Sequence, residues 1–136
     1  MTAGRRLSLI LLATCFVVAG VNHFLHPHAY VKMIPPYIPL PRVMNVISGA
    51  AEILGGIAVL FPRFRRAAGW SLIALLLAVF PANLHGALHG WDGVKIPAWI
   101  LWARLPLQVA LVAWVYASCL AKHERYASRE KQSEIK

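Results

Sequence analysis

The stretch AWILWARLPLQVALVAWVYASCL, residues 98–120, carries Arg104 as its single charge. A run of about 20 apolar residues is what an α-helix needs to cross a hydrocarbon core of about 30 Å. Lipid offers backbone N–H and C=O groups no partners, so such a run must close its hydrogen bonds within itself as a helix. The strands of a membrane β-barrel would be shorter and would alternate apolar with polar residues. Working outward, three further apolar stretches stand at 7–25, 43–61 and 67–88. The expectation is an all-α integral membrane protein, a four-helix bundle. Composition agrees. Of 136 residues 59% are apolar and 14% charged, against about 25% charged in a soluble domain, so lipid must cover much of the surface. The length suits one transmembrane domain, residues 1–121, followed by a polar tail at 122–136.

The flanks set the expected orientation. Arg5-Arg6 before a leucine-rich run resembles a signal peptide. Cys15, however, lies within the apolar run after Thr14, and no Ala-x-Ala site precedes Asn22, so the segment reads as a retained membrane anchor. Ten basic residues flank one side of the spans: Arg5, Arg6, Arg63, Arg65, Arg66, Lys122, Arg125, Arg129, Lys131 and Lys136. Only Lys32, Arg42 and Lys95 occupy the other two loops. Cytoplasmic loops carry the excess of Lys and Arg, so both termini are expected in the cytoplasm, with the chain in the plasma (inner) membrane of a bacterium. The net charge of +9 frames helix ends and makes no groove-tracking patch, which excludes a nucleic-acid partner and favours anionic lipid.

The turn at 61–66 is tight, whereas the first outer loop, 26–42, holds Pro27, Pro35, Pro36, Pro39 and Pro41 and cannot be one helix. Pro27 suits a first helical position, with one interfacial turn over 28–33. Tyr30, Tyr37, Trp91, Trp99 and Trp102 fit a headgroup belt. Cys15 and Cys119 lie at depths about 10 Å apart at a ~1.5 Å rise per residue, so they are expected to be free.

Polar residues inside the spans carry the functional signal. Glu52 falls about 13 Å into its span and Arg104 about 9 Å into its own, at the same rise per residue. A charge facing lipid at the centre of a helix would cost about 2.5–3.5 kcal/mol, so an ion pair between Glu52 and Arg104 in the bundle interior is the economical arrangement. Asn22, His23, Ser48, Asn83, His85, His89 and Gln108 fall in the same half of the membrane. Ser48, Glu52 and Gly56 share one helix face, as do Arg104 with Gln108 and His85 with His89. Pro81 and Pro106 favour kinks that free carbonyls. Ala51 and Gly55 provide a small-xxx-small step for close helix approach. The pattern describes a lopsided bundle with a polar cup opening outward.

Asn22-His23-Phe24 before Pro27, Ile34-Pro35-Pro36-Tyr37-Ile38-Pro39, Ser48-Gly49 with Glu52, Phe80-Pro81-Ala82-Asn83 and Arg104-Leu105-Pro106-Leu107-Gln108 stand in an order that resembles the DoxX-like membrane proteins. The resemblance covers about residues 8–120. It implies four transmembrane helices and an association with thiosulfate- and quinone-linked respiratory enzymes. It does not imply a reaction for this chain, which has no soluble catalytic domain and no Cys-x-x-Cys.

Three functional classes follow. The leading one is a non-enzymatic binding or accessory subunit of a membrane redox system, whose cup accepts a quinone headgroup or a small polar ligand through His23, Glu52, Asn83, His85, Arg104 and Gln108. The second is a metal-dependent membrane oxidoreductase, with His23, Glu52, His85 and His89 holding a transition metal. The third is a small proton-coupled transporter, for which four helices would require a homo-oligomer. Against all three stands the bland alternative of a Glu52–Arg104 clamp that only fixes helix register.

Overall fold

The computed structural model describes residues 2–91, 93 and 95–121. The polar tail expected at 122–136 lies outside the described residues. The chain is all-helical: α1 (Ala3–Leu25), α2 (Pro27–Met33), α3 (Pro41–Ala58), α4 (Arg65–His89) and α5 (Ala98–Cys119). Three of these, α1, α4 and α5, are long and apolar enough to cross a membrane. Their outward faces carry large apolar side chains such as Leu7, Leu11, Val18, Leu77, Leu88, Leu107 and Val109. Exposed apolar surface on this scale belongs in lipid. Helix α3 is not among the three, because Arg42, Asn45 and Glu52 fall within its 18 residues.

Proline punctuates the chain as the sequence suggests. Pro27 opens α2 and Pro41 opens α3, where the missing N–H is one the helix could not have used. Between Pro39 and Pro41, Leu40 sits at φ 53° and its carbonyl accepts from the Met44 amide at 3.0 Å. This left-handed residue, about 1–2 kcal/mol unfavourable for a side chain with a Cβ, turns the loop into α3. Pro81 and Pro106 lie within α4 and α5, each of which runs on as one helix.

Helix α1 packs along α3 and α4 along α5, with α3 also against α4. The α1–α3 seam depends on glycine. A Cβ on Gly20 would lie 2.6 Å from the Gly49 carbonyl oxygen, and one on Gly49 would lie 2.8 Å from the His23 Cβ. Small residues let backbones approach closely where the hydrophobic effect supplies no force between helices. Gly55, half of the small-residue step expected from sequence, instead receives the Leu72 side chain of α4.

The interior is divided along its length. Leu9, Leu12, Phe16, Val59, Leu72, Leu76 and Val115 form an apolar core at the end of the molecule that holds the α3–α4 turn. Arg65 closes that end. It is buried, and its guanidinium donates to Val59 O at 2.8 Å and Leu60 O at 3.3 Å, which satisfies carbonyls left open at the end of α3. The Trp114 indole donates to Ser8 Oγ at 2.9 Å, and Ser8 meets Ser118 at 3.0 Å, joining α1 to α5. Cys15 and Cys119 are both free. Polar side chains gather at the opposite end, under α2.

Candidate functional site

At that end a cavity of about 290 Å³ opens between the helices. Its polar lining comes from His23 on α1, Tyr30 on α2, Asn45, Ser48 and Glu52 on α3, Asn83 on α4, and Arg104 and Gln108 on α5. Its apolar walls include Met33, Leu76, Val79, Leu107 and Leu111. Of the six binding residues expected from sequence, His23, Glu52, Asn83, Arg104 and Gln108 therefore line one space.

Several of the polar groups are held in place by hydrogen bonds. Asn45 is 3% exposed, and its Nδ2 donates to the His23 backbone carbonyl at 3.1 Å. A carbonyl only accepts, so this bond fixes the amide orientation and turns Oδ1 toward the imidazole. His23 Nδ1–H then donates to Asn45 Oδ1 at 2.7 Å. The tautomer follows from this network: a neutral His23 presents a bare Nε2. The same ring stacks on Tyr30, with centroids 3.8 Å apart. Tyr30 is anchored in turn by Asn22, whose Nδ2 donates to the phenol oxygen at 2.7 Å. Residues Asn45, Ser48 and Glu52 recur at i, i+3 and i+7, which places all three on one face of α3.

Glu52 is 9% exposed, and its Oε2 has no hydrogen-bond partner. His23 Nε2 lies 3.6 Å away, outside hydrogen-bond range. Asn83 Nδ2 donates to Gln108 Oε1 at 2.9 Å, and Gln108 Nε2 donates to the Leu76 carbonyl. That carbonyl is one residue before Leu77, whose own i+4 donor Pro81 removes.

Two expectations need correction. Glu52 and Arg104 do not form an ion pair; the basic side chain that approaches the Glu52 carboxyl is the His23 imidazole, at 3.6 Å. The Arg104 guanidinium instead lies 5.0 Å from the centroid of the Trp91 ring, and its Nη1 donates to Met33 Sδ at 3.6 Å. Stacking on an aromatic face is a geometry that guanidinium favours, and the chain after α4 brings Trp91 back within reach. Similar depth along two helices does not aim two side chains at each other.

The second correction concerns His85 and His89. Their rings stack on each other at 4.4 Å, and His89 Nδ1–H donates to the His85 carbonyl at 3.2 Å. Neither lines the cavity. His23, Glu52, His85 and His89 do not converge, and no group of three or more His, Cys, Asp or Glu suited to a metal occurs among the described residues. The i, i+4 spacing placed the two histidines on one face of α4, but that face turns away from the cavity.

Sequence reasoning missed Asn45, Tyr30 and Met33. For Asn45 the signal was present, since it extends the Ser48–Glu52 face by one turn. Tyr30 and Met33 enter because α2 folds over the cavity, which no spacing on the long helices announces.

No curated protein and no solved structure matches the chain. One family does, a domain of unknown function designated DUF8561, over residues 12–119. That stretch takes in the cavity and every helix but the first turns of α1, so the chain belongs to the DUF8561 family.

Proposed function

We propose that this chain is a four-span protein of the bacterial inner membrane, with both termini cytoplasmic, whose cavity binds a small polar ligand or a quinone headgroup. It acts as a binding or accessory subunit of a membrane redox system, in keeping with its resemblance to the DoxX-like proteins, and not as an enzyme on its own. The observation that carries this reading is the convergence of His23, Glu52, Asn83, Arg104 and Gln108, from four helices, on one cavity. Intramembrane ionisable groups are costly, and they mark ligand or ion sites where they are retained. A clamp would pair its charges; here Glu52 and Arg104 share a space without meeting.

The fourth crossing would be α3. It presents Val43, Val46, Ile47, Leu54 and Ile57 outward, and its 18 residues span about 27 Å at 1.5 Å per residue. Its polar face is turned inward onto the cavity. The ten-to-three distribution of basic residues supports the orientation.

Thermal unfolding of the detergent-purified protein tests the binding claim against short-chain quinones and small polar molecules. Saturable stabilisation by one of these, lost when Val79→Trp fills the cavity, is the expected result. Stabilisation that survives Val79→Trp, or none across the panel, would overturn it.

A further inference from the structure

The cavity holds a carboxyl and a guanidinium that the protein does not join. Glu52 Oε2 is buried without a donor, and the lone pair of a neutral His23 faces it from 3.6 Å. Two acceptors face one another there, and a hydrogen-bond donor is what that corner lacks. Across the space the Arg104 guanidinium carries five N–H groups, of which one meets a thioether sulfur, a weak acceptor. The Tyr30 hydroxyl, already accepting from Asn22, still has its own proton to give. Both groups line the cavity, and neither has an oxygen acceptor among the described residues.

A buried, unpaired charge is expensive, and so is its partner of opposite sign left apart in the same cavity. A ligand with only an acidic group would satisfy Arg104 and leave Glu52 bare. One with only a basic group would do the reverse. We infer that the ligand is a small zwitterion of the amino-acid class, with its ammonium on Glu52 and His23 Nε2 and its carboxylate on Arg104 and Tyr30. This rests on the reading of the cavity as a binding site. The apolar walls formed by Met33, Leu76, Val79, Leu107 and Leu111 suit an aliphatic skeleton. A volume of about 290 Å³ stands at the small end of ligand pockets, which run from about 300 to 1,000 Å³.

Isothermal titration of the detergent-purified protein tests the inference. The probes are leucine, 4-aminobutyrate and 6-aminohexanoate, which vary the separation of the two charges. The comparison molecules are 4-methylpentanoate, which lacks the amine, 3-methylbutylamine, which lacks the carboxylate, and a short-chain quinone. The expected result is that at least one zwitterion binds ten-fold or more tightly than every comparison molecule. Glu52→Gln should abolish the preference for the zwitterion over the amine-free acid. Arg104→Gln should abolish its preference over the amine. Circular dichroism and cooperative unfolding establish that each variant is folded, and Tyr30→Phe, which removes the hydroxyl and its bond from Asn22 but keeps the ring that stacks on His23, should weaken zwitterion binding. If the quinone or a singly charged molecule binds as tightly as the zwitterions, and Val79→Trp abolishes that binding, the ligand class is overturned while the site stands. If no zwitterion binds, or zwitterion binding survives Val79→Trp, the inference is overturned.

Discussion

His23 Nε2 and Glu52 Oε2 face each other at 3.6 Å across the wall of the cavity, held there by Asn45 from behind. The imidazole cannot turn away without breaking the Nδ1–Asn45 bond, and Glu52 cannot leave its face of α3. Coupling in this end of the molecule should therefore run between these two residues. In double-mutant cycles read by thermal unfolding, His23→Leu with Glu52→Gln should show an interaction of about 0.5–3 kcal/mol, the range for groups in contact. Glu52→Gln with Arg104→Gln should couple less. A stronger Glu52–Arg104 coupling would restore the ion pair that the structure lacks.

Asn45 offers a separate measurement. Asn45→Leu keeps the approximate volume and removes both bonds to His23, leaving a buried carbonyl and a ring N–H without partners. Each such orphan costs about 1–3 kcal/mol, so the variant should unfold well below the parent. An unchanged midpoint would mean that water satisfies these groups and that Asn45 does not position the imidazole.

The other end of the molecule rests on Arg65. Hydrogen bonds from a charged donor contribute about 1.5–3 kcal/mol, and Arg65 directs its guanidinium at the Val59 and Leu60 carbonyls. Arg65→Ala should lower stability by about that amount, whereas Arg66→Ala, at an exposed neighbour, should fall within about 0.5 kcal/mol. Equal effects would show that both arginines act only through charge at the membrane face.

The glycine seam predicts a steric effect with a defined direction. A methyl group on Gly49 would meet the His23 Cβ at 2.8 Å and Phe24 Cε2 at 2.9 Å, so α1 and α3 must part to admit it. Overpacking of this kind costs about 1–3 kcal/mol. Gly49→Ala should destabilise the protein and loosen His23 from Asn45, while Gly4→Ala, where nothing lies within 4 Å, should be neutral or stabilising. A Gly49→Ala protein as stable as the parent would remove the close approach as a determinant of the fold.

Much of this was legible in the sequence, and the reason is lipid. The same demand that closes backbone hydrogen bonds within a helix makes apolar run length a reliable guide, so the expected stretches end within four residues of the long helices observed. The gathering of Asn83, Arg104, Gln108, Glu52 and His23 was legible for the same reason, since depth along a helix follows from residue count alone. Rotation about the helix axis does not. That angle decides that Arg104 stacks on Trp91 in place of meeting Glu52, and that His85 and His89 face each other away from the cavity. It is set by side-chain packing between helices, such as Leu72 against Gly55, which a single sequence does not spell out. The contribution of α2 was hidden for a related reason: a helix of seven residues has no periodicity long enough to show which face it buries.

The crossing of α3 is the topological claim that composition leaves open, and two exposed positions decide it. Tyr37 precedes α3 and Arg63 follows it, both are exposed, and no other helix lies between them. Single cysteines at these positions, in a background with Cys15 and Cys119 replaced by alanine, can be probed in intact cells with a membrane-impermeant maleimide. If α3 spans, the two must lie on opposite sides, whatever the orientation of the rest. The charge asymmetry then assigns the sides: Arg63 neighbours Arg65 and Arg66, so it should label only after permeabilisation, and the Tyr37 position should label from outside. Labelling of both from one side would make α3 a helix that enters and leaves by the same face. The number of crossings would then be odd, and Glu52 would lose the membrane depth on which the role proposed for it depends.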